Sequence, residues 1–474
     1  MDLGLFTIDF IAVQQFFDAY STSQIIFFIL GNIGWIVFVG FFIFLFFFYL
    51  EDYKEGKATA SWRWVTLALD VPALNVQTPK AVEQLFAHLA GAYDPPNFAD
   101  RFRSGHKQRW FSFEIISIEG YIQFIIRTEA AMQDLVEAAV YAQYPEAEII
   151  EVEDYTGQFP STFPNEQYDI WASDFTLAEN QAFPIRTYEE FEHNVVKDDA
   201  IKDPMGTFLE SFSRIGRGEQ FWFQIIIQPT GNGWKEDSIA KIKEMMGEKT
   251  STGKNPLGFL TDNAISKELG ASMQEIVSQL SGGAPGESSD SAPDKKDDKP
   301  VRLTPGQNKQ IEAIEQKINK IGFKTKMRAV YIAEKSVFTP SRAVNAIIGA
   351  VNQYNNPTTN SIVPSYSTGA SYALKNYISN SRKTLLMKAY KKRKANTGAK
   401  PFIFNIEELA TVWHFPLSHV RTPLLQKASG KRSEPPTGLP IGEVVAEETR
   451  QHIPDAQDDY MASGGDYSSE QRFG

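Results

Sequence analysis

The chain is 474 residues long, enough for two or three domains with cores of their own. It contains no cysteine, which excludes disulfides, thiol nucleophiles, zinc ribbons and iron–sulfur clusters. Its net charge of −11 conceals a division: residues 51–300 carry 23 basic and 41 acidic side chains, whereas 301–432 carry 22 and 5. Such an imbalance points to an anionic partner for the basic part, or to its neutralisation by the acidic part of the same or a neighbouring subunit.

In chain order, residues 1–24 read as an extracytoplasmic segment, with LFTIDFIAVQQFFDAY suited to a membrane interface. Residues 25–50 (IIFFILGNIGWIVFVGFFIFLFFFYL) carry no charge and are predicted to form a transmembrane helix. No basic residue precedes Leu50, so the segment lacks the n-region of a cleaved signal peptide. Asp2, Asp9 and Asp18 lead it, while Lys54, Lys57 and Arg63 follow. The positive-inside bias then places the protein in the inner cell membrane, single-pass, with its N-terminus outside and its bulk cytoplasmic.

Residues 60–250 form an acidic α+β region. WVTLALDV is a strand stopped by Pro72, and TPKAVEQLFAHLAGAY opens a helix with Thr78 as cap and Pro79 in its first turn. QRWFSFEIISIEGYIQFIIRT reads as a hairpin broken at Glu119-Gly120, AAMQDLVEAAVYAQYP as a helix, and AEIIEVEDY as a strand. The resulting β-α-β-β-α-β order is that of a ferredoxin-like, split βαβ layer. The pattern recurs more loosely in YDIWASDFTLAE, DPMGTFLESFSRIG, EQFWFQIIIQP and DSIAKIKEMM.

Residues 251–301, with SGGAPGESSDSAPDKKDDKP, read as a flexible linker. Residues 302–432 form a basic α+β domain containing QNKQIEAIEQKINKIG, FKTKMRAVYIAEK, SRAVNAIIGAVNQYN and FIFNIEELATVWHF. Residues 433–474 read as a disordered acidic tail. The expected fold class is therefore α+β: a single N-terminal transmembrane helix, two or three ferredoxin-like units, a linker and a tail.

Catalytic signals are thin. GEKTSTGKN (Gly247–Asn255) imitates a phosphate loop, but five residues separate its glycines instead of four. Asn255 replaces the hydroxyl, Pro256 opposes helix entry, and an amphipathic helix precedes it where an apolar strand is needed. None of the six histidines (88, 106, 193, 414, 419, 452) forms a helical i, i+4 pair. No enzyme activity, cofactor or metal is expected. RKTLLMKAYKKRKANTGAK (Arg382–Lys400) is a basic amphipathic helix. Arg382, Lys383, Lys388, Lys391, Lys392, Arg393 and Lys394 are its candidate phosphate contacts, with a solvated helix face as the alternative.

Three ordered passages, AVYAQYPEAEIIEVEDY, DPMGTFLESFSRIGRGEQFWFQIIIQP and FNIEELATVWHFPLSHVRTPLLQKASGKRSEPPTGLP, resemble known proteins. Together they are similar to the region preceding the motor in bacterial type IV secretion and conjugative DNA-transfer ATPases of the FtsK/HerA superfamily, over about residues 60–440. In that family the last passage leads into the ATPase. Here 34 residues follow Pro440, against upwards of about 200 for a RecA-type motor. The resemblance therefore implies a non-catalytic, membrane-anchored scaffold or docking subunit of a type IV secretion-like apparatus. Its ATPase would be on a separate chain, with DNA and further copies of itself as other candidate partners. A membrane-tethered, non-specific nucleic-acid-binding module using residues 302–432 is the alternative.

Overall fold

The computed structural model describes residues 34–71, 77–192, 203–247, 303–369 and 374–417, with Gln24 and Gly31 singly. The chain divides after Ala428 into two units, and all described residues belong to the first. The linker (251–301) with the residues flanking it from Glu248 to Arg302, the acidic tail and residues 1–23 lie outside the described residues.

The first helix, α1 (Gly34–Ala60), is followed by β1 (Trp64–Asp70), α2 (Pro79–Leu89), α3 (Phe98–Arg103), β2 (Phe111–Ile118), β3 (Tyr121–Glu129), α4 (Gln133–Gln143) and β4 (Glu148–Val152). Next come β5 (Tyr168–Leu177), α5 (Tyr188–Glu192), α6 (Pro204–Ser213), β6 (Glu219–Pro229) and α7 (Gly233–Met245). The remainder is α8 (Pro305–Ile318), β7 (Gly322–Glu334), α9 (Pro340–Asn352), β8 (Ile362–Ser367), α10 (Lys375–Lys391), β9 (Phe402–Asn405) and α11 (Ile406–Val412).

The expectation of separate ferredoxin-like units behind a membrane helix is corrected on both counts. All nine described strands form one antiparallel sheet, ordered β4-β1-β3-β2-β6-β7-β5-β8, with β9 paired to β7. Read inward from its two edges, each half has the same order: β4-β1-β3-β2 and β8-β5-β7-β6. The halves are fused through β2 and β6, paired from Phe111↔Ile227 to Ile118↔Gln220. The physical reason is an edge with nothing else to satisfy it: unpaired strand groups invite a neighbour, and β6 is long enough to pair with the whole of β2 and shares its apolar pattern. β6 and β7 in turn pair from Glu219↔Ala333 to Pro229↔Phe323, so acidic and basic regions of the sequence share one sheet.

The second correction concerns the membrane. Among the described residues no helix is long and apolar enough to cross one. In α1 the uncharged stretch runs from Gly34 to Leu50, about 25 Å at ~1.5 Å per residue, short of the roughly 30 Å of a hydrocarbon core. Glu51, Asp52, Lys54, Glu55 and Lys57 then make its last turns charged. The single-pass inner-membrane location loses its support with the span. Residues 25–30, 32 and 33 lie outside the described residues.

Strand alternation gives the sheet two faces. Phe111, Phe113 and Ile115 of β2, Phe221, Phe223 and Ile225 of β6, and Met327, Ala329 and Tyr331 of β7 turn to the larger core, which also takes in residues of α2, α4, α6, α9 and α11. Trp413 is fully buried there, its ring 4.8 Å from Phe113 and 5.6 Å from Phe124. The opposite face carries Ser112, Glu114, Gln224, Arg328 and Asp174, together with a smaller core in which Leu386, Met387 and Tyr390 of α10 pack on Trp222, Val330 and Ile332. Between β2 and β3, Glu119 (φ 53°) and Gly120 (φ 94°) both adopt the positive φ that a two-residue hairpin turn matching the strand twist requires.

Candidate nucleic-acid interface

The basic stretch is held on the polar face by two clamps of buried charge. In the first, Arg393 uses all five of its N–H donors. Nε and Nη2 meet Glu114 at 2.9 and 3.0 Å, Nη1 and Nη2 meet Asp154 at 2.5 and 3.2 Å, and Nη1 also reaches the Lys391 carbonyl at 2.8 Å. Glu114 further accepts from Ser112 Oγ (2.6 Å), Tyr155 OH (2.8 Å) and Gln224 Nε2 (2.9 Å). Burial alone pushes Glu114 and Asp154 up. The Arg393 charge and the hydrogen bonds they accept outweigh it and hold both below the usual carboxylate range.

In the second clamp Asp174 of β5 accepts from Lys326 Nζ (2.7 Å), Arg328 Nε (2.6 Å) and the Ala399 backbone N–H (2.8 Å). Arg328 Nη2 then donates to the carbonyls of Lys394 (3.3 Å) and Thr397 (3.0 Å), and Lys326 to that of Ala399. Gly398 (φ 83°) is the residue this path tolerates, because a Cβ there would lie 2.0 Å from Asp174 Oδ2. The segment after α10 is thus fastened to both halves of the sheet.

The seven sequence candidates therefore separate. Arg393 is buried and fully engaged; Lys391 donates to the Phe159 carbonyl; Lys383 pairs with Asp169 at 2.5 Å. Arg382 donates to the carbonyls of Ser367 (3.3 Å) and Gly369 (2.7 Å) and lies over the Tyr366 ring. Lys388, Lys392 and Lys394 are exposed, and the clamps hold the backbone on either side of Lys392 and Lys394. Lys375 and Lys400 are exposed on the same segment. A broader sequence signal than the basic helix reinforces this surface. Residues 335–406 contain no Asp or Glu and 11 Lys or Arg.

Elsewhere, His414 is buried, with Nδ1 2.8 Å from the Ala410 carbonyl and Nε2 2.8 Å from Asp203. Asp203 in turn caps α6 through the Met205 N–H, so the HFP sequence is a core latch. Among the described residues no group of three or more His, Asp or Glu is placed to hold a metal ion. GEKTSTGKN lies outside the described residues beyond Gly247.

No curated protein matches the chain. Both clamps and all seven basic candidates fall within residues 97–428, the span that matches the family described as Domain of unknown function (DUF8128), and the chain belongs to that family.

Proposed function

We propose that this chain is a non-catalytic module that holds nucleic acid by its phosphate backbone, on the surface at the end of α10. The observation that carries the reading is the outward set Lys388, Lys392 and Lys394 in an acid-free run of sequence, oriented by buried clamps. Lysines fixed this way neutralise phosphates without reading bases, and the counterions they release make binding steeply salt-dependent. Duplex affinity is expected to fall sharply between about 50 and 200 mM salt. The triple variant Lys388→Glu, Lys392→Glu, Lys394→Glu should weaken binding at least about ten-fold and lower the salt slope by about 2–3. Fluorescence anisotropy with a labelled duplex measures both. Binding indifferent to salt or to the three substitutions would remove the reading.

A second reading, a docking subunit beside a translocating ATPase on a separate chain, draws on the ordered resemblance, whose last passage begins in β9 and α11. Co-migration in size-exclusion chromatography with a phosphate-loop protein encoded in a neighbouring reading frame is the expected result. Separate elution at micromolar concentrations counts against it.

A further inference from the structure

Three tryptophans outside both buried cores lie together: Trp62 before β1, Trp64 at its start, and Trp110 before β2. Their rings form a cluster with centroids 4.9 to 5.8 Å apart, half-buried at one end of the polar face. A cation stands over each: Arg109 over Trp62, Arg127 over Trp64 and Lys107 over Trp110. Lys107 and Arg109 are committed to Glu55 (2.8 Å) and Glu129 (2.5 Å).

Arg127 differs from both. It forms no hydrogen bond among the described residues, its Nε is buried without a partner, and its nearest carboxylate, Asp154, is 3.7 Å from Nη2 and already bound to Arg393. Burial first, and repulsion from Arg393 second, hold Arg127 below the ordinary guanidinium value. A side chain only 16% exposed whose Nε is buried without an acceptor leaves one donor unmet. It lines an open cleft of about 500 Å³ with Trp64, Thr66, Val152, Glu151, Glu153 and Asp154.

We infer that the Trp62–Trp64–Trp110 platform and Arg127 form a base-stacking site for single-stranded nucleic acid, continuous with the basic surface of α10. The inference rests on the proposed backbone contacts and adds the strand form that is bound. Flat, partly exposed rings stack unpaired bases, which a duplex keeps inside its own stack. The Arg127 donors meet the acceptor edge of the stacked base or the phosphate beside it. Continuity comes through Asp154, which holds Arg393, between Lys392 and Lys394, on one side and faces Arg127 on the other. Glu151 and Glu153 are exposed on the β4 edge and repel phosphate, so the backbone passes on the Arg109 side of the cleft.

The test uses the whole chain, a labelled twelve-nucleotide oligothymidylate and a duplex of equal length. Trp64→Ala is expected to weaken oligothymidylate binding about ten-fold, within the range that one stacked base loses on truncation of its ring partner. It should change duplex affinity less than two-fold and abolish the quenching of tryptophan fluorescence by the single strand. Arg127→Gln is expected to act in the same direction, Trp64→Phe to restore binding to within about three-fold because a ring remains, and Glu151→Gln with Glu153→Gln to tighten it. Unchanged oligothymidylate binding by Trp64→Ala overturns the platform while leaving the backbone reading intact. So does an equal loss for duplex and single strand, or competition by poly-glutamate as effective as that by oligothymidylate. A wild-type chain that binds neither nucleic acid ends both proposals.

Discussion

Replacing Arg393 with methionine is expected to cost about 3–5 kcal/mol of unfolding free energy, the range for removing one member of a buried ion pair. Methionine keeps much of the volume, so the loss reports charge more than packing. Glu114 would be left fully buried with a negative charge and only neutral donors around it. Urea unfolding of Arg393→Met, Glu114→Gln and the double variant supplies the check. The double variant should cost less than the two singles combined, because each single strands the other's charge. Additive losses would show that the clamp is not a unit.

Acid should erase the difference. Glu114 and Asp154 titrate below their ordinary values in the folded chain. Below about pH 4.5 the unfolded chain therefore binds more protons than the folded one. The contribution of the clamp is complete above that pH and is lost as pH falls through the depressed folded values. The gap between wild type and Arg393→Met is expected to narrow in the same window. Loosening of the 391–400 segment should also weaken nucleic-acid binding, since Lys392 and Lys394 lose their fixed direction.

Lys317 and Glu408 offer the second large effect, on the opposite face of the sheet. Lys317 Nζ lies 3.0 and 3.1 Å from the two Glu408 oxygens and 3.2 Å from the Ile403 carbonyl, with both side chains wholly buried. Glu408 also accepts from the backbone N–H groups of Asn405 (2.9 Å) and Ile185 (3.0 Å). Burial pushes Lys317 down and Glu408 up, and their mutual attraction only partly opposes it. Lys317→Met is expected to lose about 3–5 kcal/mol near neutral pH.

The pH trend should run opposite to that of the first clamp. With its cation gone, Glu408 stays protonated in the folded chain to higher pH than in the unfolded one. Stability of Lys317→Met then falls as pH rises above about 4.5, the unfolded carboxyl value. Adding Glu408→Gln should recover most of the loss. An uncharged glutamine can still accept from Asn405 and close the capping box at the start of α11. Buried pairs replaced on both sides are often neutral. A double variant as unstable as the single would show that the charges themselves hold α11 in place.

How far these sites could be read in advance varies with the distance between partners. The strand at 64–70 and the hairpin at 111–129 are legible because alternation and a Glu-Gly turn are local features. Strand β8, with Pro364 and only six residues, has too weak a pattern to stand out. In the run Lys391–Lys394 four adjacent cations look equivalent. Arg393 alone is buried, and nothing local marks it, because its partner Glu114 lies 279 positions away. The tryptophan platform draws on residues 62, 64, 110 and 127, joined only by the pairing of β1 and β2 with β3.

By itself the sequence determined most of the segments that become helix or strand, the division into acidic and basic stretches and the lack of any thiol chemistry. Each of these depends on residue type and on spacings of a few positions. Tertiary structure alone decided that two similar halves merge through β2 and β6 into a single sheet. It also decided which cations face inward, since hydrogen bonding and desolvation act on groups brought together in space whatever their separation along the chain.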